Sequence, residues 1–181
     1  MFNRKIVFSG GMCNYVGAEG SLARNPRRDE LNNQLRAKGH EVFDPQIDES
    51  THGRPYNYDI DGPAEQNARA KAHVLIYQVG SETMAGVTLL EVENDVKSGR
   101  KVILWLSGEI DSKGRPLFKP LGLNPESITD SATKAHVLQM LKQGNSMRAN
   151  LLDFTKEATN LRVVATEGGV IGALKEFGIR I

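Results

Sequence analysis

A chain of 181 residues, 39% hydrophobic and 25% charged, has the size and composition of one soluble globular domain with an ordinary core. A net charge of +1, with both signs mixed along the chain, excludes the broad basic field that duplex DNA or an anionic membrane surface requires. The single cysteine, Cys13, excludes an internal disulfide framework and a cysteine-rich zinc site, and with no apolar run of membrane-span or signal-peptide length the expectation is a cytoplasmic protein with no metal and no cofactor.

Lys5-Ile-Val-Phe8 reads as the first strand. It ends in the small turn Ser9-Gly10-Gly11, and the residues to about Ser21 read as a glycine-containing loop whose backbone a phosphate or sugar can approach closely. A helix follows: Asn25 caps it, Pro26 suits its first position, Leu31 and Leu35 share a face, and Gly39 ends it. Arg24, Arg27 and Arg28 near its start read as a solvated face, with a grip on phosphate as the alternative. Glu41-Val-Phe43 is the second strand, and Asp44 at its end is a candidate for contacting a substrate. From Asp44 to Gly62 the chain is rich in Pro, Gly, Asp, Tyr and His without a sustained period, which predicts a long ordered loop over the site. Tyr56 and Tyr58 there can stack on a base, and Asp59 or Asp61 can supply a proton if its pKa is raised.

Pro63 to Lys71 predicts a short helix leading into His73-Val-Leu-Ile-Tyr-Gln78, a strand buried on both faces. His73 itself reads as a core or rim histidine. After a loop, Leu89, Val92 and Val96 recur at helical spacing, Ser98-Gly99 closes the helix, and Lys101-Val-Ile-Leu-Trp-Leu106 is the fourth strand. Such a strand, helix, strand unit crosses over right-handed into a parallel sheet, whose ligand crevice lies beyond the carboxyl ends of the strands. The spacing puts Glu91 in the first turn of that helix and facing the crevice, a candidate nucleophile. Thr88-Leu-Leu-Glu91 also has the form of a capping box, in which Thr88 caps the helix and Glu91 reaches back to the cap amide.

Asp111 to Pro116 reads as an exposed excursion. Ser131 to Gln143 and Met147 to Glu157 predict two helices, Leu161-Arg-Val-Val-Ala165 a final strand, and Glu167-Gly-Gly169 leads into a helix to Phe177. The sum is an α/β chain, residues 1–181 in one domain: a three-layer α/β/α, flavodoxin/Rossmann-like fold with a five-stranded, mainly parallel sheet. His40, His52 and His136 are scattered among unrelated elements and form no metal constellation.

Over residues 4–106 the chain resembles the nucleoside 2-deoxyribosyltransferase superfamily, with 126–181 as a C-terminal extension of helices and strand. The matching features, in order, are Lys5-Ile-Val-Phe-Ser-Gly-Gly11, Val42-Phe-Asp-Pro45, Ala72-His-Val-Leu-Ile-Tyr77, and Gly86-Val-Thr-Leu-Leu-Glu-Val92 followed by Ser98-Gly-Arg-Lys-Val-Ile103. The resemblance implies cleavage of the N-glycosidic bond of a nucleoside or nucleoside 5′-monophosphate, with Glu91 attacking the anomeric carbon and Asp59 or Asp61 serving the departing base. It implies a substrate pocket lined by Ser9, Gly10, Gly11, Tyr15, Asp44, Tyr58, Gly86 and Thr88, and a homo-oligomer; position and apolar periodicity make the region after Pro125 the expected contact surface. The chain departs from the family pattern at His73, at Glu93, and at Met84-Ala85-Gly86, where transferases carry an acidic residue. Those departures favour hydrolysis over base exchange. Two rivals remain: a non-catalytic nucleotide-binding module of the same fold, and a glycohydrolase for a dinucleotide such as NAD.

Overall fold

The computed structural model describes residues 4–11, 15–16, 22–23, 25–47, 52–54, 57–83, 85–108, 117–120 and 123–181. In chain order the elements are β1 (Ile6–Gly10), β2 (Tyr15–Val16), β3 (Leu22–Ala23), α1 (Pro26–Ala37), β4 (Glu41–Phe43), α2 (Tyr58–Lys71), β5 (Val74–Gly80), α3 (Gly86–Lys97), β6 (Val102–Ser107), a 3₁₀ turn (Pro125–Ser127), α4 (Ser131–Thr155), β7 (Leu161–Val164) and α5 (Glu167–Glu176). Five strands form one sheet in the order β4-β1-β5-β6-β7, every pair parallel. Counting only these strands, the order is 2-1-3-4-5, the doubly wound arrangement whose direction of winding reverses between β1 and β5.

The sheet is buried on both faces. Phe8, Leu75, Tyr77, Val79 and Leu104 point to one side, where Leu89, Val92 and Val96 of α3 and Leu151 of α4 cover them and α2 packs through Ala68. Val7, Val74, Ile76, Ile103 and Trp105 point to the other, under Leu31 and Leu35 of α1 and Val170 and Leu174 of α5. This alternation in strands without polar interruption is what a sheet sandwiched by helices requires. The three-layer α/β/α architecture read from the sequence is therefore the observed one, with the sheet wholly parallel. Among the described residues no helix is long and apolar enough to cross a membrane.

Four boundaries differ from the sequence reading. Residues 15–16 and 22–23 form a two-stranded antiparallel ribbon inside the stretch read as loop. Helix α2 starts at Tyr58, five residues before Pro63: the Asn57 side chain accepts from the Asp59 amide and caps it, and Pro63 lies inside the helix, leaving the Asp59 carbonyl without its helical donor. Tyr58, Asp59 and Asp61 are thus on a helix, not in a loop. Helix α3 starts at Gly86 from Ala85, a left-handed residue (φ 53°) with no side-chain cap. Thr88 is the third helical residue and Glu91 the sixth, so Glu91 sits in the second turn and the capping box does not form. The excursion at 111–116 lies outside the described residues.

The fourth difference is α4, one helix of 25 residues where two were expected. Gly144 sits mid-helix at a cost of about 1 kcal/mol in propensity relative to alanine. The reason is a close approach: a Cβ there would lie 2.4 Å from Cδ1 of Phe118, itself 6% exposed. Overpacking of this kind costs about 1–3 kcal/mol. Gly144→Ala is therefore expected to lower stability by about 1 kcal/mol in urea denaturation, and a stabilised variant would show that Phe118 yields freely.

Candidate functional site

Glu91 lies on the α2/α3 side of the sheet. Its Oε1 accepts from Nη1 of Arg69 at 2.6 Å, and Nη2 of Arg69 donates to Oδ2 of Asp95 at 3.0 Å. The same Asp95 oxygen accepts from the Tyr77 hydroxyl at 2.6 Å, so four side chains from α2, β5 and α3 form one chain of hydrogen bonds. The Glu91 side chain remains 25% exposed. Burial raises its pKa; the Arg69 guanidinium opposes that rise, and Glu65 and Asp95 add to it, with a net shift upward. Burial, together with the bond given to Asp95, raises the Tyr77 hydroxyl far above the ordinary phenol range. Arg69 is two residues from the end of α2, which leads back to the start of β5, so the Glu91 carboxylate is drawn along the helix face and away from the carboxyl edge of the sheet.

At that edge a different group assembles, on the α1/α5 side. Gly11 leaves β1 at φ 101°, against β5 so closely that a Cβ would lie 2.3 Å from the Gln78 carbonyl oxygen. Only glycine fits both constraints. The Gly11 carbonyl accepts from Nη1 of Arg28 at 3.0 Å, and Nη2 of Arg28 lies 3.4 Å from Oδ1 of Asp44 and bonds the Gln46 side chain. Asn32, one turn along α1, donates to Oδ2 of Asp44 at 3.1 Å. Beside them Ser9 of β1, Gln78 of β5 and Trp105 of β6 share this face, Gln78 and Trp105 as register partners.

These side chains are sealed from solvent: Ser9 and Asn32 are 0% exposed, Gln78 and Trp105 1%, Arg28 2%. Yet Ser9 Oγ, Arg28 Nε, Asn32 Oδ1, both amide atoms of Gln78 and Trp105 Nε1 have no hydrogen-bond partner. They are six of the eight such buried side-chain atoms among the described residues. An orphaned buried polar atom costs about 1–3 kcal/mol. Six in one place would approach the entire stability of a domain, about 5–15 kcal/mol, so they mark positions for internal water or a ligand. The cluster lies where the 2-1-3-4-5 order places a ligand crevice. Its one cation and one anion, Arg28 and Asp44, neutralise each other, which suits an uncharged occupant with both donors and acceptors.

The structure thus brings Ser9 and Asp44 together, with Gly11 beside them, and sets Glu91 on the opposite side of the sheet. Thr88 is buried at 3% exposure, and Gly86 lies against Met147 of α4. Tyr58 is 65% exposed, its hydroxyl accepting from Gln66 at 2.9 Å. Asp61 accepts two bonds from Arg54, at 2.7 and 2.6 Å, and one from the Asn57 amide at 2.9 Å. Those bonds hold its pKa down at about 2, so at neutral pH Asp61 is a fixed carboxylate and an acceptor, not a proton donor. Asp59 is exposed in the first turn of α2. Only the backbone of Tyr15, on β2, is described, and Cys13, Arg24, Tyr56 and Met84 lie outside the described residues.

His73 accepts from the Ile6 amide at 3.1 Å; Nδ1 of His40 accepts from the Lys5 amide at 3.3 Å, and its Nε2 lies 2.8 Å from the Arg180 carbonyl. Both histidines therefore splice strands and termini together. Among the described residues no three His, Cys, Asp or Glu side chains converge as a metal-holding group.

Sequence reasoning missed Asn32, Gln78 and Trp105, and named Arg28 only as part of a solvated face or as a grip on phosphate. Arg28 is buried, not on a solvated face. It also missed Arg148 of α4, 2% exposed, which donates to the carbonyls of Gly80, Thr83 and Leu117 and so fixes the loop between β5 and α3. No family model, curated protein or solved structure matches this chain.

Proposed function

We propose that this protein cleaves or exchanges the N-glycosidic bond of a nucleoside or nucleoside 5′-monophosphate, with Glu91 as nucleophile. The observation that carries the reading is Glu91 itself, a quarter-exposed carboxylate on the helix that follows β5, held at 2.6 Å by Arg69. The cluster of Ser9, Asn32, Gln78 and Trp105, across the sheet from Glu91, is a separate candidate for recognising an uncharged, planar group rich in donors and acceptors, such as a base.

The chemistry balances as two displacements. A Glu91 carboxylate oxygen bonds to the anomeric carbon as the carbon–nitrogen bond breaks, and the electron pair leaves with the base, whose nitrogen takes a proton from an acid. Water, or a second base, then attacks the anomeric carbon, giving its proton to the carboxylate that protonated the leaving base, and the ester bond breaks to return the Glu91 carboxylate. Asp59 is assigned the acid, because Arg54 keeps Asp61 ionised. For attack, Glu91 has to exchange Arg69 for the substrate, a rearrangement of the kind catalytic hydrogen bonds undergo when a complex forms. The Arg69 ion pair also favours a second reading, a nucleotide-binding module that performs no reaction.

Incubation with a panel of deoxynucleosides, ribonucleosides, their monophosphates and NAD separates the two. Free base released from a nucleoside or monophosphate is the expected result, and binding without release from any of them leaves the module. Release from NAD alone points to the dinucleotide reaction and removes the first reading.

A further inference from the structure

The hydrogen-bonded chain of Tyr77, Asp95, Arg69 and Glu91 is firmly held at one end and loose at the other. At its inner end the Tyr77 hydroxyl, on a β5 side chain that is 0% exposed, donates to Oδ2 of Asp95 at 2.6 Å. The same oxygen accepts from Nη2 of Arg69, whose guanidinium carbon lies 5.9 Å from the centre of the Tyr77 ring. Arg69 is tied down through its backbone as well: Arg100 donates to the carbonyls of Arg69 and Ala72 at 2.6 and 2.8 Å and so fixes the end of α2. At the outer end Glu91 receives, among the described residues, a single side-chain bond, from Nη1 of Arg69. Its side chain is 25% exposed against 13% for Asp95.

Glu91 and Asp95 stand four residues apart on α3, so their carboxylates share one face and compete for one guanidinium. The competition has a use. If Glu91 were the sole partner of Arg69, its departure would leave a largely buried cation unpaired, which is strongly unfavourable. With Asp95 in place, the Nη1 bond can open while the Nη2 bond holds, and the guanidinium stays where Glu91 can return to it.

We infer that Asp95 is a positioning residue that retains Arg69, so that the Glu91 carboxylate can leave the guanidinium for an anomeric carbon and be recaptured once the sugar has gone. The inference rests on the reading of Glu91 as nucleophile. Tyr77 sets how hard Asp95 pulls, because its hydroxyl proton shares the oxygen that Arg69 uses and takes up part of its charge. The charged and titratable groups that face Glu91 are Arg69 and Glu65 of α2, Asp95 of its own helix, and Tyr77 of β5. Arg69 favours the Glu91 carboxylate, whereas Glu65 and Asp95 oppose it. Any change in how Arg69 divides itself between the two carboxylates therefore moves the titration of Glu91.

The test is a carbon-13 NMR titration of the Glu91 carboxyl in the ligand-free full chain, assigned by its loss in Glu91→Gln, together with kcat and KM for base release from the nucleosides and monophosphates of the panel. Asp95→Asn keeps an acceptor of the same shape but removes the competing charge, so Arg69 passes to Glu91. Glu91 is then expected to titrate at lower pH than in the wild type, and kcat to fall at least about tenfold with KM little changed. Tyr77→Phe keeps the ring and the net charge but leaves the Asp95 oxygen to Arg69 alone. Glu91 is then expected to titrate at higher pH, with kcat at its pH plateau undiminished. Opposite displacements in these two variants are what competition for one guanidinium requires and what simple loosening of the helix pair does not give. A Glu91 titration that both variants leave in place, or move in the same direction, overturns the inference. So does full kcat in Asp95→Asn. Base release that survives in Glu91→Gln instead removes the nucleophile reading, and the opposed titrations of the ligand-free protein then distinguish that failure from this one.

Discussion

Glu91→Gln is expected to abolish release of base, lowering turnover at least about a hundredfold while leaving nucleotide binding in place. The amide has the size of the carboxyl group and still accepts from Arg69, so the fold is kept, but it cannot form the sugar ester. Because the capping box does not form, loss of activity in this variant cannot be a cap effect. The pH profile provides a second readout. Only the carboxylate attacks, and burial moves Glu91 above the ordinary glutamate value of 4.5, so the acid limb of activity is expected above that value. Arg69 favours the charged form, and Arg69→Leu is expected to move the limb higher still. The linked effect on stability has the opposite sense. A carboxyl whose folded pKa is raised contributes stability that is complete below its unfolded pKa and is lost as pH rises through the folded one. Undiminished release by Glu91→Gln, or an acid limb that Arg69→Leu leaves in place, would remove Glu91 from the chemistry.

What the sequence shows and what it hides divide along physical lines. Strand β5 is legible because its whole length, Val74–Gly80, is buried, and β-branched and apolar residues declare that without help. Helix α1 is legible because its signals are local: the Asn25 side chain accepts from the Arg27 and Arg28 amides, Pro26 opens it, and Gly39 turns left-handed at φ 82° after it. Ser9 and Asp44 could be placed at the carboxyl edge of the sheet because strand ends in a parallel sheet converge there. The start of α3 could not be read, since Ala85 adopts a conformation that alanine rarely takes and no capping side chain marks it. Gly144 reads as a helix break until Phe118, distant in sequence, explains it. Arg28, Asn32, Gln78 and Trp105 each have an ordinary reading as surface, helix or core. One signal was available for two of them: Arg28, Leu31, Asn32 and Leu35 fall on a single helical stripe, and two polar residues on an inward stripe ask for partners. Their convergence with Gln78 and Trp105 depends on strand order, which no local pattern encodes.

Gln78→Met is expected to raise the stability of the ligand-free protein and to suppress base binding together. Both amide atoms of Gln78 are buried without partners, and methionine keeps the length and unbranched shape of the side chain while removing the polar group. Relief of an orphaned polar group is worth about 1–3 kcal/mol, which in a chain of this size raises the melting temperature by roughly 2–4 °C per kcal/mol. If the amide recognises a base, the same change costs binding, because the base then buries its own donors and acceptors against sulfur and methylene. A stability gain paired with a functional loss is the signature of a residue kept for its ligand. Calorimetric melting with and without free bases, alongside release assays, reads both quantities on one sample. Destabilisation by Gln78→Met with base binding intact would instead mean that internal water satisfies the amide in the native protein, and would move the recognition site away from the β1/β5 switch point.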